Sequence, residues 1–166
     1  MKTYFLYSML SVLCLASCGL EPPMSDLLPP SVWRFSPRGE AVDSRSKVEV
    51  VFTEPVHPMT QAEGLVALVA EADYDQALLD ALDDPPMSTA MQARCVPGRL
   101  DFSMGGSGLR FTPEAPLASG THYALLVSAA VCDLEGNRLV DEIHLDTEGR
   151  HVGEPAHAVH WFRTRR

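Results

Sequence analysis

The sequence predicts an all-β sandwich of about seven short strands with one short helical insertion. Three observations lead there. Short runs alternate apolar and polar residues, which is the two-residue period of a half-buried strand. Proline- and glycine-rich turns separate these runs at regular spacing. Only one stretch carries the i, i+4 apolar repeat of a helix.

Val32 to Phe35 is the first expected strand. Lys47 to Thr53 is the clearest, with Val48, Val50 and Phe52 on one face and Lys47, Glu49 and Val51 on the other. Pro55 and Pro58 end it, since proline cannot donate to a sheet ladder. Leu65 to Val69 is a third apolar run. From Asp73 to Asp84 the pattern turns helical: Asp73 can cap, Gln76 takes the capping-box position, Leu78 and Leu82 share a face, and Pro85-Pro86 stops the helix. Arg99 to Met104 alternates again, with Leu100, Phe102 and Met104 inward. Gly105-Gly106-Ser107-Gly108 makes a tight hairpin connection into Leu109 to Thr112. Thr121 to Ser128 and Ala158 to Thr164 complete the strands. The expected core is Val48, Val50, Phe52, Leu100, Phe102, Leu109, Phe111, Tyr123, Leu125, Val127 and Phe162.

Ahead of these strands lies a different kind of segment. Lys2 is the only charge before Glu21, and an apolar run from Tyr4 to Leu15 follows it. That run is too short to cross a bilayer core of about 30 Å but long enough for an export signal. Leu15-Ala16-Ser17-Cys18 resembles the lipobox of bacterial lipoproteins. The resemblance implies removal of residues 1–17, a lipid on Cys18, and a membrane as partner through that anchor, each buried methylene contributing about 0.8 kcal/mol. Gly19, in place of the aspartate that retains such proteins at the inner membrane, points to the outer membrane. Residues 18–31 hold Pro22, Pro23, Pro29 and Pro30 and read as an extended tether. A single domain is then expected over 32–166, with insertions near 70–95 and 141–154 accounting for its length beyond the roughly 100 residues of a simple sandwich.

The formal net charge is −9, and it becomes −10 once Lys2 leaves with the signal. This surface disfavours nucleic acid, whose phosphates need basic patches. The partners expected beyond the membrane are an envelope protein or a glycan. Of four cysteines, Cys14 leaves and Cys18 is lipidated, so Cys95 and Cys132 remain. In an oxidising compartment the simplest expectation is a disulfide between them, contributing roughly 4 kcal/mol on the chain-entropy model. Two separate buried thiols are the alternative.

Several stretches resemble a known family, the bacterial Ig-like domain of S-layer and other surface proteins. Pro30 to Pro37 followed by Val48 to Val56 is similar to its opening, where a strand ends in an F-[ST]-E-P-[VM] turn. Leu109-Arg110-Phe111-Thr112-Pro113 through Pro116-Leu117 and Gly120-Thr121-His122-Tyr123 is similar to its L-x-F-T-P…P-L-x-x-G-T-x-Y core. Asp133 to Asn137 looks like its D-x-x-G-N turn, and Trp161 to Thr164 like its final F-x-T strand. The resemblance implies an immunoglobulin-like sandwich with a tyrosine corner at Tyr123. Residues 70–94 are longer than the family pattern, and a fold of this kind does not fix a function.

The candidate chemistry is thin. His144, His151, His157 and His160 lie near Asp141, Glu142, Asp146, Glu148 and Glu154, the residue types of a metal-dependent hydrolase. His157 and His160 are three apart in an extended segment, however, so they should face opposite ways. Ser107 lacks the flanks of a nucleophile elbow. Asp133 and Asn137 could offer calcium oxygen ligands without the spacing of a known loop. Trp33 and Trp161 read as core or sheet-edge aromatics. No catalytic residue, metal ligand or cofactor is assigned. A non-catalytic envelope module with a binding, adhesion or structural role is the leading expectation, followed by the hydrolase and by an accessory protein that pairs a partner's strand at a sheet edge.

Overall fold

A computed structural model describes residues 28–141, 144–145, 151–152 and 154–166. The expected export signal, Cys18 and most of the expected tether lie outside the described residues. Alternation in the sequence builds two four-stranded sheets. The first holds β1 (Val32–Ser36), β3 (Val48–Phe52), β6 (Gly108–Pro113) and β5 (Gly98–Ser103), in the order β1-β3-β6-β5 and antiparallel throughout. The second holds β2 (Gly39–Val42), β10 (Ala158–Thr164), β7 (His122–Val127) and β4 (Val66–Ala70), in the order β2-β10-β7-β4. Here β2 runs parallel to β10, and the other pairs are antiparallel. A two-residue ribbon, β8 (His144–Leu145) with β9 (His151–Val152), lies in the 141–154 insertion.

The sheets meet over the expected core. Val48, Val50, Phe52, Leu109, Phe111, Tyr123, Leu125, Val127 and Phe162 are buried there, with Leu100 and Phe102 packed at its margin. Met104 departs from its expected inward place. It leaves β5 in the left-handed region, at φ 51°, and is 55% exposed. Met104 opens the short hairpin loop between the paired Ser103 and Gly108, which is wound as a one-turn 3-10 segment with Gly105 and Gly106 at φ 68° and 101°.

In the second sheet β4 and β7 are buried on both sides. Their outer face presents Ala67, Val69, Ala124 and Leu126, and α2 (Gln76–Asp83) covers them with Leu78, Leu79 and Leu82. This explains why β4 and β7 read as nearly continuous apolar runs rather than alternating ones. Two single-turn helices, α1 (Met59–Ala62) and α3 (Thr89–Gln92), flank this layer in the chain. The cap of α2 is Asp75, not Asp73, which sits in a preceding 3-10 turn. Asp75 Oδ1 accepts from the Leu78 N–H at 2.9 Å, and Gln76 donates to Asp80 instead of closing a capping box.

Several turn residues act as clamps. Tyr123 forms the expected corner: its hydroxyl oxygen accepts from the Ala118 N–H at 2.9 Å. Thr164, the last residue of β10, accepts from the Thr121 N–H at 2.9 Å and donates to the Ala118 carbonyl. Together they hold the loop ahead of β7 against both the core and the last strand. The packed part also starts earlier than Val32, since Pro29 and Pro30 are buried and the Val140 N–H donates to the Pro30 carbonyl.

Two outcomes follow. Tyr123→Phe keeps the ring but strands the Ala118 N–H, so the urea midpoint should fall by the equivalent of about 1–2 kcal/mol with an unchanged slope. The second concerns acid. A hydrogen-bonded ion pair with Arg94 at 2.8 Å, and then the Leu78 N–H, hold the Asp75 carboxyl below its ordinary 3.8. Its contribution is therefore complete above 3.8 and is lost as pH falls through the lowered folded value. Trp161 lies edge-on to Tyr74, beside this cap, at 5.1 Å. Its fluorescence should report the acid transition, and Asp75→Asn should flatten it.

Candidate functional site

With α2 covering the second sheet, the outer face of the first is left open, and its features gather along β1. A register shift between Val32 and Arg34 breaks the alternation of β1. Trp33 is thereby turned outward and is 63% exposed, with the Arg34 guanidinium 5.4 Å from its ring centre. Met104 stands nearby, and between them Val51 is only 2% exposed although it points away from the core. Trp33, Val51, Phe52, Thr53, Met104 and Ser107 line a shallow groove of about 330 Å³.

Beside this groove the face is polar. Glu49 accepts from the Ser103 hydroxyl at 2.9 Å and from Arg110 at 3.0 Å, with Arg34 at 3.9 Å. Register places Glu49 opposite Arg110, and Arg110 opposite Asp101. Arg99 and Asp101 pair at 2.9 Å on the edge strand.

Trp33 also borders a second groove, of about 450 Å³, on the other side of β1. Val32, Phe35 and Ala158 form its apolar lining, while Arg34, Arg38, Asp141 and His157 supply its charged and polar groups. The His160 ring stacks on Phe35 at 4.7 Å, and its Nε2 lies 2.8 Å from the Pro37 carbonyl. His157 points elsewhere, with Nδ1 3.0 Å from Asp83 Oδ2. The two histidines therefore diverge, as an extended segment requires.

The model of the bacterial Ig-like domain matches residues 26–146. The chain belongs to that family. Its fold is similar to solved structures of low identity. The surface-layer protein SbsC, domains 1–6, is 15% identical over 83% of this chain, with a TM-score of 0.48. The chain spans only 14% of that structure. An L,D-transpeptidase from Mycobacterium smegmatis is 19% identical over 70% of this chain and 41% of its own, with a TM-score of 0.39. CopC from Methylosinus trichosporium OB3b is 12% identical over 82% of this chain and 93% of its own, with a TM-score of 0.42. No curated protein matches the sequence.

In this Ig-like domain the D-x-x-G-N turn closes on itself. Asp133 is fully buried, and its carboxylate accepts from the N–H groups of Glu135 and Asn137 and from the Asn137 side-chain amide at 2.7–2.9 Å. Those N–H donors occupy the oxygens that a calcium ion would need, so the turn is a structural lock. Asp83 does similar work at the end of α2, accepting from the Ser128 hydroxyl at 2.7 Å and the Ala129 N–H at 2.9 Å. Ser128 thus bonds the carboxylate rather than an imidazole, unlike a base-activated nucleophile.

Cys95 and Cys132 are free thiols, and the bridge expected between them is not formed in this structure. Cys95 joins the α2 layer beside β4, where its sulfur lies 3.7 Å from the Met91 carbonyl. Cys132 follows β7, its carbonyl accepting from His57 and its backbone bridging Arg138. Burial raises both thiols above the ordinary cysteine value. Among the described residues no three His, Cys, Asp or Glu side chains form a metal-holding group. The side chains of His144 and His151 lie outside the description.

Of the two positions the sequence leaves open for Trp33, core or sheet edge, the structure gives the edge strand; the outward face of the ring was hidden because a register shift leaves no compositional mark. Met104 is a second residue that alternation misplaces. A left-handed backbone at a residue with a β-carbon costs about 1–2 kcal/mol, part of which glycine's extra unfolded-state freedom offsets. Met104→Gly should therefore raise the urea midpoint by up to about 1 kcal/mol equivalent, while removing one wall of the Trp33 groove. A lowered midpoint would show that the Met104 side chain stabilises the fold more than its backbone strains it.

Proposed function

We propose that this protein is a lipid-anchored, non-catalytic binding module of the bacterial cell envelope. The observation that carries the binding role is the asymmetry of the sandwich. One sheet is covered by its own helix, and the other presents Trp33 between two grooves. A large aromatic exposed beside an arginine is a common anchor of recognition surfaces. Membership of the bacterial Ig-like family is consistent with a site in the envelope, and the lipobox at Leu15 to Cys18 supplies the means of attachment. Gly19 favours the outer membrane. The partner is an envelope protein or glycan, and no nucleic acid is involved, in keeping with the acidic chain.

Expressed in a Gram-negative host, the full chain should sediment with membranes and resist a carbonate wash. Cys18→Ala should move it to the soluble fraction with its circular dichroism unchanged. Retention of that variant on membranes would remove the anchor from the proposal. A photoreactive phenylalanine analogue in place of Trp33 should cross-link an envelope component in cells, whereas the same group at exposed Ala90 should not. Equal labelling from both positions would remove the binding face.

A further inference from the structure

The seam between the two sheets, beside Trp33, has the form of a strand-binding slot. β10 pairs with β7 over Ala158 to Arg163, but on its other side β2 meets it only at Phe162 and Thr164. Ala158 to Trp161 therefore have no strand beside them on that edge among the described residues. The facing wall is β1, itself the edge strand of the first sheet. One wall is thus an edge strand and the other the half of β10 that β2 does not pair, and such open backbone carries donors and acceptors suited to one more strand.

The floor supplies the second requirement. Val32, Phe35 and Ala158 are partly buried hydrophobics packed against the main core, yet they line this groove of about 450 Å³. An inserted strand would set alternate side chains on that floor and turn the others to the rim. The rim carries Arg34 and Arg38, and Asp141 is the only acidic side chain lining the groove among the described residues. In a chain of net charge −9, this is a locally cationic margin.

From these features we infer that the seam binds an extended segment of a partner protein by strand addition to β10, with apolar residues facing the floor and acidic residues facing Arg34 and Arg38. The inference rests on the binding reading given above and names its site and the chemistry of its partner. An open backbone edge selects a peptide over a glycan, because only a peptide returns the alternating N–H and carbonyl pairs. The charge of the rim selects the acidic pattern.

Hydrogen exchange on the chain carrying Cys18→Ala tests this directly, using two synthetic peptides, one alternating valine with glutamate and the other valine with lysine. The glutamate peptide should slow exchange of the amides within Ala158 to Trp161 that face away from β7. The lysine peptide should bind at least about tenfold more weakly, and Arg34→Glu with Arg38→Glu should reverse the order. Methylating alternate backbone nitrogens of the glutamate peptide, which leaves the protein untouched, should abolish protection if a ladder forms. The inference is overturned if those amides are already protected in the free chain, because the chain then fills its own edge. It is equally overturned if neither peptide protects them, if the two peptides bind alike, or if the methylated peptide binds as well as its parent. Cross-linking from Trp33 to an envelope component, without any protection at Ala158 to Trp161, would sink the strand and leave the binding module standing.

Discussion

The double burial of β7 is the constraint on which the rest of this structure depends. Tyr123, Leu125 and Val127 point into the sandwich, Ala124 and Leu126 point the other way, and all five are buried. A strand of this kind cannot lie at a surface. Leaving its outer side bare would expose apolar area to water, and α2 covers it with Leu78, Leu79 and Leu82. The insertion that lengthens this chain beyond a simple sandwich is therefore a third layer. Its consequence is directional: only the first sheet keeps an open face, and the exposed aromatic of β1 gathers there.

Much of this arrangement was legible in the sequence, and for identifiable reasons. β3 was legible because Val48, Val50 and Phe52 make its inward face wholly apolar while Lys47 and Glu49 mark the other, and β10 because Phe162 faces the core between Trp161 and Arg163. The Tyr123 corner and the Asp133 turn were legible because side chain–backbone bonds of this kind demand particular residues at fixed offsets. β2 was not, since Gly39-Glu40-Ala41-Val42 has no alternation and Ala41 takes a positive φ of 66°. Such a strand exists only because β10 is there to pair with it. The helix was legible but its cap slipped by two residues, because Asp73 and Asp75 satisfy the same local rule and the 3-10 turn decides between them.

The candidate site was the least legible part. Trp33 reads as a core or sheet-edge aromatic, and β1 is an edge strand, but a register shift decides which face the ring takes. Met104 continues a perfect alternation until the backbone leaves the strand. Both departures come from tertiary context. The two histidines whose side chains are described show the reverse: neighbours in sequence that part in space, with His157 held by Asp83 and His160 by Phe35 and Pro37. Proximity along a chain is weak evidence for a site when the segment is extended, because successive side chains leave opposite faces.

The covered and open faces are also coupled. Asp83, at the end of α2, bonds Ser128 and Ala129 just beyond β7 and His157 just before β10. One carboxylate thus ties the helical layer to the central strand and to the wall of the seam. Truncating it would leave a buried hydroxyl and an N–H without their acceptor, at a cost that falls on all three elements together. The entry of β10, and with it the width of the groove between Ala158 and β1, is set from the far side of the sheet. A helix with no part in the open face still fixes the geometry there, which gives the insertion a role in the site as well as in stability.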